Sequence, residues 1–181
     1  QMYSSESLEK YLKYVRKIAS WKLKKKQKEK IQGSIIFTNP ETGEIRVLVG
    51  GEKFTSKNQF NRALQARRQI GSTMKPFLYL SGIEKKVINP YTVFKDKPVA
   101  IEVENAPEDQ KYWSVNNYNN TYKGYLTATE ALYRSSNVIA AQVAYLIGLD
   151  GLRNILRNTL NLNVKEADKR FPGYQYSLAL G

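Results

Sequence analysis

The chain has 181 residues, 41% of them apolar, enough for one domain with a real core and too apolar for disorder throughout. It contains neither cysteine nor histidine, which excludes disulfide scaffolds, thiolate and imidazole metal sites, Ser-His-Asp triads and Cys-His pairs. Its 29 basic and 16 acidic residues leave a net charge of +13, which favours an anionic partner such as nucleic acid, anionic lipid or an acidic polymer.

Leu8, Leu12, Val15, Ile18 and Ala19 recur at helical spacing, predicting a basic amphipathic helix from about Ser7 into the lysine run Lys22–Lys30, with Gln32-Gly33 at its end. Ser34–Thr38 and Glu44–Val49 read as two strands joined by the turn Asn39-Pro40-Glu41-Thr42-Gly43, and Gly50-Gly51 closes the second. A polar loop holding Asn58 to Arg62 leads to an apolar helix that starts close to Ser72 and ends before Ile88-Asn89-Pro90. Val93–Val103 is expected to be extended, with Pro98 at an edge, and Pro107–Tyr125 to be a long loop rich in Asn, Tyr and Trp. Thr127-Ala128-Thr129-Glu130 has capping-box spacing and opens a short helix that ends at Arg134-Ser135-Ser136-Asn137. Two helices follow, Val138–Ile147 and one from about Asp150, and then a loop over Asn161–Tyr176. Mixed helices and hairpins indicate the α+β class. No run is as long and apolar as a membrane span, and the N-terminus has no apolar signal core. Any exporting or anchoring segment is expected to lie outside this chain.

Two short patterns carry chemistry. In Gly71-Ser72-Thr73-Met74-Lys75-Pro76 a serine precedes a lysine by three residues, so hydroxyl and amine share one helix face. A serine hydroxyl becomes a nucleophile when a base takes its proton, and an unprotonated lysine can be that base. Pro76 places the helix start near Ser72, where unpaired amides favour developing negative charge, although the residue before a proline is biased away from helix. Alone, Ser-x-x-Lys is common on solvated faces. The second pattern, Ser135-Ser136-Asn137, lies between two apolar helices. It reads either as a polar turn that satisfies backbone groups or as a turn presenting Ser135 and Asn137 beside Ser72 and Lys75.

Several co-linear stretches add to these two. They are Asn39–Glu44, Val49-Gly50-Gly51, Gln59-Phe60-Asn61-Arg62-Ala63, Arg68–Phe77, Asn117-Tyr118, Tyr122-Lys123-Gly124, Thr127–Val138 and Ser177–Gly181. Through them the sequence resembles the transpeptidase domains of class A (bifunctional) penicillin-binding proteins over about Gly33 to Gly181. The resemblance implies the serine β-lactamase-like transpeptidase fold, an antiparallel sheet flanked by helices, with no cofactor and no metal. It implies a D,D-transpeptidase in which Ser72 is the nucleophile, Lys75 the base and Ser135 a proton relay, while Asn137 binds substrate. The implied partners are peptidoglycan stem peptides and β-lactam antibiotics, with a glycosyltransferase domain upstream; no nucleic acid is expected, because no groove-reading or stacking motif accompanies the basic charge. The implied location is the extracytoplasmic face of the bacterial cytoplasmic membrane, anchored by a segment not in this chain. Two departures stand out. Ile70 sits where the family commonly has proline, and no Lys-Thr-Gly or Lys-Ser-Gly third motif occurs. We therefore expect residues 1–32 to be a basic linker helix and 33–181 the N-terminal part of a transpeptidase domain. The C-terminal part would be missing, the hairpin would expose an edge and an apolar face, and the piece alone would be inactive. The alternatives are a serine β-lactamase or β-lactam sensor of the same fold, or a non-catalytic basic binding module.

Overall fold

A computed structural model describes residues 2–19, 31–56, 58–103, 107–170 and 176–181, and the chain divides into two units at Arg68/Gln69. In the first unit, helix α1 (Met2–Ile18) begins five residues earlier than the periodicity suggests. The expected continuation into the lysine run lies outside the described residues. Leu8 and Leu12, one turn apart on α1, bury against Val49 with Ile31, Ile35 and Val47 around them. Arg16 forks onto both oxygens of Glu52 at 2.9 and 2.7 Å and also donates to the Ile31 carbonyl at 2.8 Å.

Strands β1 (Ile35–Thr38) and β2 (Ile45–Val49) form the expected antiparallel hairpin, with Ile35 opposite Val49 and an irregularity between Phe37 and Thr38. Its turn is built by Asn39, whose side-chain oxygen accepts from the Glu41 amide at 2.9 Å, the local bond that suits asparagine to turns. Ile36, Phe37 and Ile45 remain exposed, but the consecutive Ile36 and Phe37 point to opposite faces, so the exposed apolar surface is split between the two sides of the hairpin. A short helix α2 (Arg62–Gln65) follows, capped by Asn61, whose side chain accepts from the Ala63 amide.

The second unit is organised by helix α3 (Lys75–Glu84) packed on helix α5 (Asn137–Thr159). Leu78 and Tyr79 of α3 join Val138, Ile139, Val143 and Ile147 of α5 in the core. The sequence suggests two helices where α5 runs. Its two helical segments do meet at Gly148, whose φ of 68° and ψ of 160° no helix accommodates. The break frees the Ile147 carbonyl, and Lys85 Nζ donates to it at 2.8 Å. Residues 137–158 of α5 are long and apolar enough to cross a membrane by composition, which corrects the expectation of no such run; about half of that stretch is buried within this unit.

The extended segment 93–103 is two strands, β3 (Val93–Asp96) and β4 (Val99–Glu102), separated at Lys97-Pro98. The expected long loop contains strand β5 (Tyr112–Val115), which pairs antiparallel with β4, while β6 (Gly124–Thr127) pairs antiparallel with β3. Helix α4 (Ala128–Tyr133) carries the capping box: Thr127 Oγ1 accepts from the Glu130 amide, and the Glu130 carboxylate accepts from the Thr127 amide. The loop expected over Asn161–Tyr176 includes helix α6 (Val164–Arg170), and the tail Tyr176–Leu180 is a 3-10 turn. Residues 171–175 lie outside the description.

Candidate active site

Ser72 lies in a 3-10 turn, Gly71–Met74, ahead of α3 rather than in the first α-helical turn. In 3-10 geometry residues i and i+3 eclipse, so Ser72 and Lys75 still share a face. Lys75 opens α3 with φ −58° and ψ −40°, although proline follows it. The bias against helix before proline is overridden because Pro76 sits in the first turn, where its missing amide is no loss. Gly181 packs on the same turn so closely that a Cβ there would stand 2.1 Å from the Gly71 carbonyl oxygen.

Helix α4 ends in a Schellman motif: the Ser136 amide donates to the Ala131 carbonyl and the Ser135 amide to the Leu132 carbonyl. The motif requires a left-handed residue, usually glycine, and here it is Ser135 with φ 56°. A side chain in that region costs about 1 kcal/mol or more. Ser136 then caps α5, its hydroxyl accepting from the Ile139 amide at 3.2 Å. The strained turn therefore releases both the carbonyl and the hydroxyl of Ser135 toward Lys75.

Lys75 is 1% exposed. Its Nζ donates to the Ser135 carbonyl at 2.7 Å, the Ser135 hydroxyl at 2.9 Å and Asn137 Oδ1 at 2.7 Å. Burial, uncompensated by any carboxylate, lowers its pKa from 10.5 to about 8. One turn on, the buried Tyr79 phenol is pushed above its ordinary value by burial and by Asp96. Three of the four residues nominated by the sequence thus meet directly. The fourth, Ser72, is exposed, and among the described residues its hydroxyl makes no hydrogen bond.

Ser135 and Ser136 also line a cleft of about 460 Å3, with Asp96, Asn117, Lys123 and Arg134 around them. Neither chemistry-bearing sequence pattern includes Asp96 or Asn117. Asp96 is buried and accepts from Asn117 Nδ2, the Ser136 hydroxyl and the Lys123 amide. The overlooked signal is period-two: Phe94 and Asp96 share the inward face of β3, an unusual place for an acid.

The family model for the penicillin-binding protein transpeptidase domain matches residues 33–165. Penicillin-binding protein 1A of Neisseria gonorrhoeae is 35% identical over 131 residues, 72% of this chain and 16% of the relative. The protein of the same name from Rickettsia felis is 33% identical over 156 residues, 86% of this chain and 18% of the relative. The crystal structure of penicillin-binding protein 1A from Haemophilus influenzae superposes with a TM-score of 0.70 at 29% identity, over 83% of this chain and 21% of that one. The chain spans about a sixth of the length of the curated relatives it matches.

Proposed function

This chain belongs to the penicillin-binding protein transpeptidase family, and from that membership we propose that it carries the acylation half of a D,D-transpeptidase that cross-links peptidoglycan stem peptides. Ser72 attacks the carbonyl between the two terminal D-alanines, and its proton passes to Lys75. The free D-alanine leaves with a proton supplied through Ser135. The amine of a neighbouring stem peptide then attacks the Ser72 ester, forming the cross-link and restoring the serine. β-Lactams, which present the same carbonyl, acylate Ser72 and stay. The work is done at the cell wall, outside the cytoplasmic membrane, in a longer protein with a glycosyltransferase domain upstream. The missing Lys-Thr-Gly strand would come from the remaining transpeptidase domain.

The observation that carries this reading is the environment of Lys75. Its three hydrogen bonds match the three protons of an ammonium. When the amine is neutral it keeps two donors and gains a lone pair. The Ser135 carbonyl and Asn137 Oδ1 can only accept, so they hold the two remaining protons. The Ser135 hydroxyl can reverse, donating to the lone pair, so proton exchange at Lys75 requires no displacement of either side chain. Asn137 orients the amine through Oδ1; one N–H of its NH2 group donates to the Asn116 carbonyl at 3.4 Å, and the other is left to meet a substrate carbonyl. The Ser72 hydroxyl, without a partner among the described residues, is available to substrate.

A fluorescent penicillin added to the full-length protein tests this. We expect one stable adduct, found by peptide mass spectrometry on the peptide holding Ser72 and absent from Ser72→Ala. An adduct that persists in Ser72→Ala refutes the assignment, and rapid hydrolysis of the adduct points to a β-lactamase instead.

A further inference from the structure

Asp96 is a buried carboxylate, 3% exposed, that the chemistry above does not use. Among the described residues no lysine or arginine side chain pairs with it; its three bonds come from neutral donors. Oδ2 takes the Lys123 amide at 2.8 Å, and Oδ1 takes Asn117 Nδ2 at 2.8 Å and the Ser136 hydroxyl at 2.9 Å. A carboxylate only accepts, so the amide of Asn117 has one allowed orientation, with NH2 toward Asp96. Its second N–H goes to the Thr121 carbonyl at 3.0 Å. Asn117 Oδ1 is thereby turned to the start of α5, where it accepts from the backbone amides of Asn137 at 2.9 Å and Val138 at 3.3 Å.

We propose that Asp96 is a positioning residue for acylation, fixing through Asn117 and Ser136 the turn that holds Ser135 and Asn137 against Lys75. The inference rests on the functional reading above. Two chains run from the one carboxylate. One passes through Asn117 to the Asn137 amide, whose own side chain receives Lys75 Nζ. The other passes through Ser136, which sits between Ser135 and Asn137 and caps α5. The negative charge also lies at the N-terminal end of α5, where the helix dipole favours it. An amide in place of the acid presents an NH2 either to the Lys123 amide or to Asn117 Nδ2. One donor then faces another: in the first case the Lys123 amide loses its acceptor, and in the second Asn117 is held only by the Thr121 carbonyl and the α5 amides.

A purely structural role and a positioning role separate in the kinetics of the full-length protein. Acylation by a fluorescent penicillin is resolved into non-covalent affinity and the rate constant of the covalent step, with the folded fraction measured alongside. Asp96→Asn is expected to slow the covalent step about tenfold or more while affinity changes less than about threefold, because small displacements of reacting groups act on the chemical step. Leu152→Ala, a core truncation in the second half of α5, is the matched control and is expected to keep its rate within about twofold once folded protein is counted. Should Asp96→Asn fail to fold, Ser136→Ala removes the hydroxyl that bridges to Asp96 and caps α5, and it is expected to slow the same step about threefold once folded protein is counted. A covalent rate within twofold of wild type in the folded variant overturns the proposal. If Ser72→Ala is unreactive while Asp96→Asn reacts normally, only this inference falls. If Ser72→Ala still reacts, the functional reading falls and takes this inference with it.

Discussion

Lys75 can serve as a base at neutral pH only because its surroundings lower its pKa, and pH is the simplest perturbation of that property. At pH 7 a lysine with the ordinary value of 10.5 is unprotonated in about three molecules in ten thousand; lowered to about 8, Lys75 is unprotonated in about one in eleven. On the proposed mechanism the active form is the unprotonated one, so acylation should be lost as pH falls through 8. The rate should rise about tenfold from pH 6 to 7, about fivefold from 7 to 8 and less than twofold from 8 to 9. Stopped-flow acylation with a fluorescent penicillin, corrected for its spontaneous hydrolysis, measures this curve. The same shift enters stability with a definite sign. The folded value lies below the unfolded one, so the group's cost to folding is full below pH 8 and vanishes as pH rises toward 10.5. Lys75→Arg keeps a positive charge that cannot be given up and should lose a factor of about 10²–10⁴ in acylation across the whole range. A profile with its midpoint between about pH 4 and 6 would assign the proton to a carboxylate and refute the argument, as would an arginine variant within threefold of wild type.

Ser135→Ala and Ser135→Gly both remove the hydroxyl and should each slow acylation at least about a hundredfold. They differ in stability, since only glycine relieves the φ of 56°, and urea unfolding should find the glycine variant about 1 kcal/mol more stable than the alanine one. Leu78→Ala empties a fully buried site between α3 and α5 and should cost about 2–5 kcal/mol by the same assay; a loss under about 1 kcal/mol would contradict the packing. Gly181→Ala combines a φ of 88° with a methyl group 2.1 Å from the Gly71 carbonyl oxygen, so the turn carrying Ser72 must move. Penicillin labelling of that variant in the full-length protein should slow at least about tenfold, and labelling at the wild-type rate would show that the contact does not position Ser72.

What the sequence made legible here is what local chemistry determines. The Thr127–Glu130 capping box and the Asn39 turn are written in neighbouring residues, and both formed where they were expected. Strand β5 was hidden because four residues in a loop of polar and aromatic composition become a strand only by pairing with Val99–Glu102, a gain no local pattern reports. Helix α6 was hidden because, within it, only Ala167 is buried, which leaves no apolar stripe to read. The site divides along the same line. Ser135 and Asn137 were visible as odd polar residues between apolar helices, but the left-handed conformation that turns Ser135 toward Lys75 comes from the Schellman closure of α4. Asp96 was invisible for the opposite reason: its partners are 21, 27 and 40 residues away, and nothing nearby in sequence asks for an acid. A protein concerned only with stability would place glycine at Ser135 and an apolar residue at Asp96. Both local rules are broken around one buried lysine, and that coincidence is a stronger argument for a site than the Ser-x-x-Lys spacing alone.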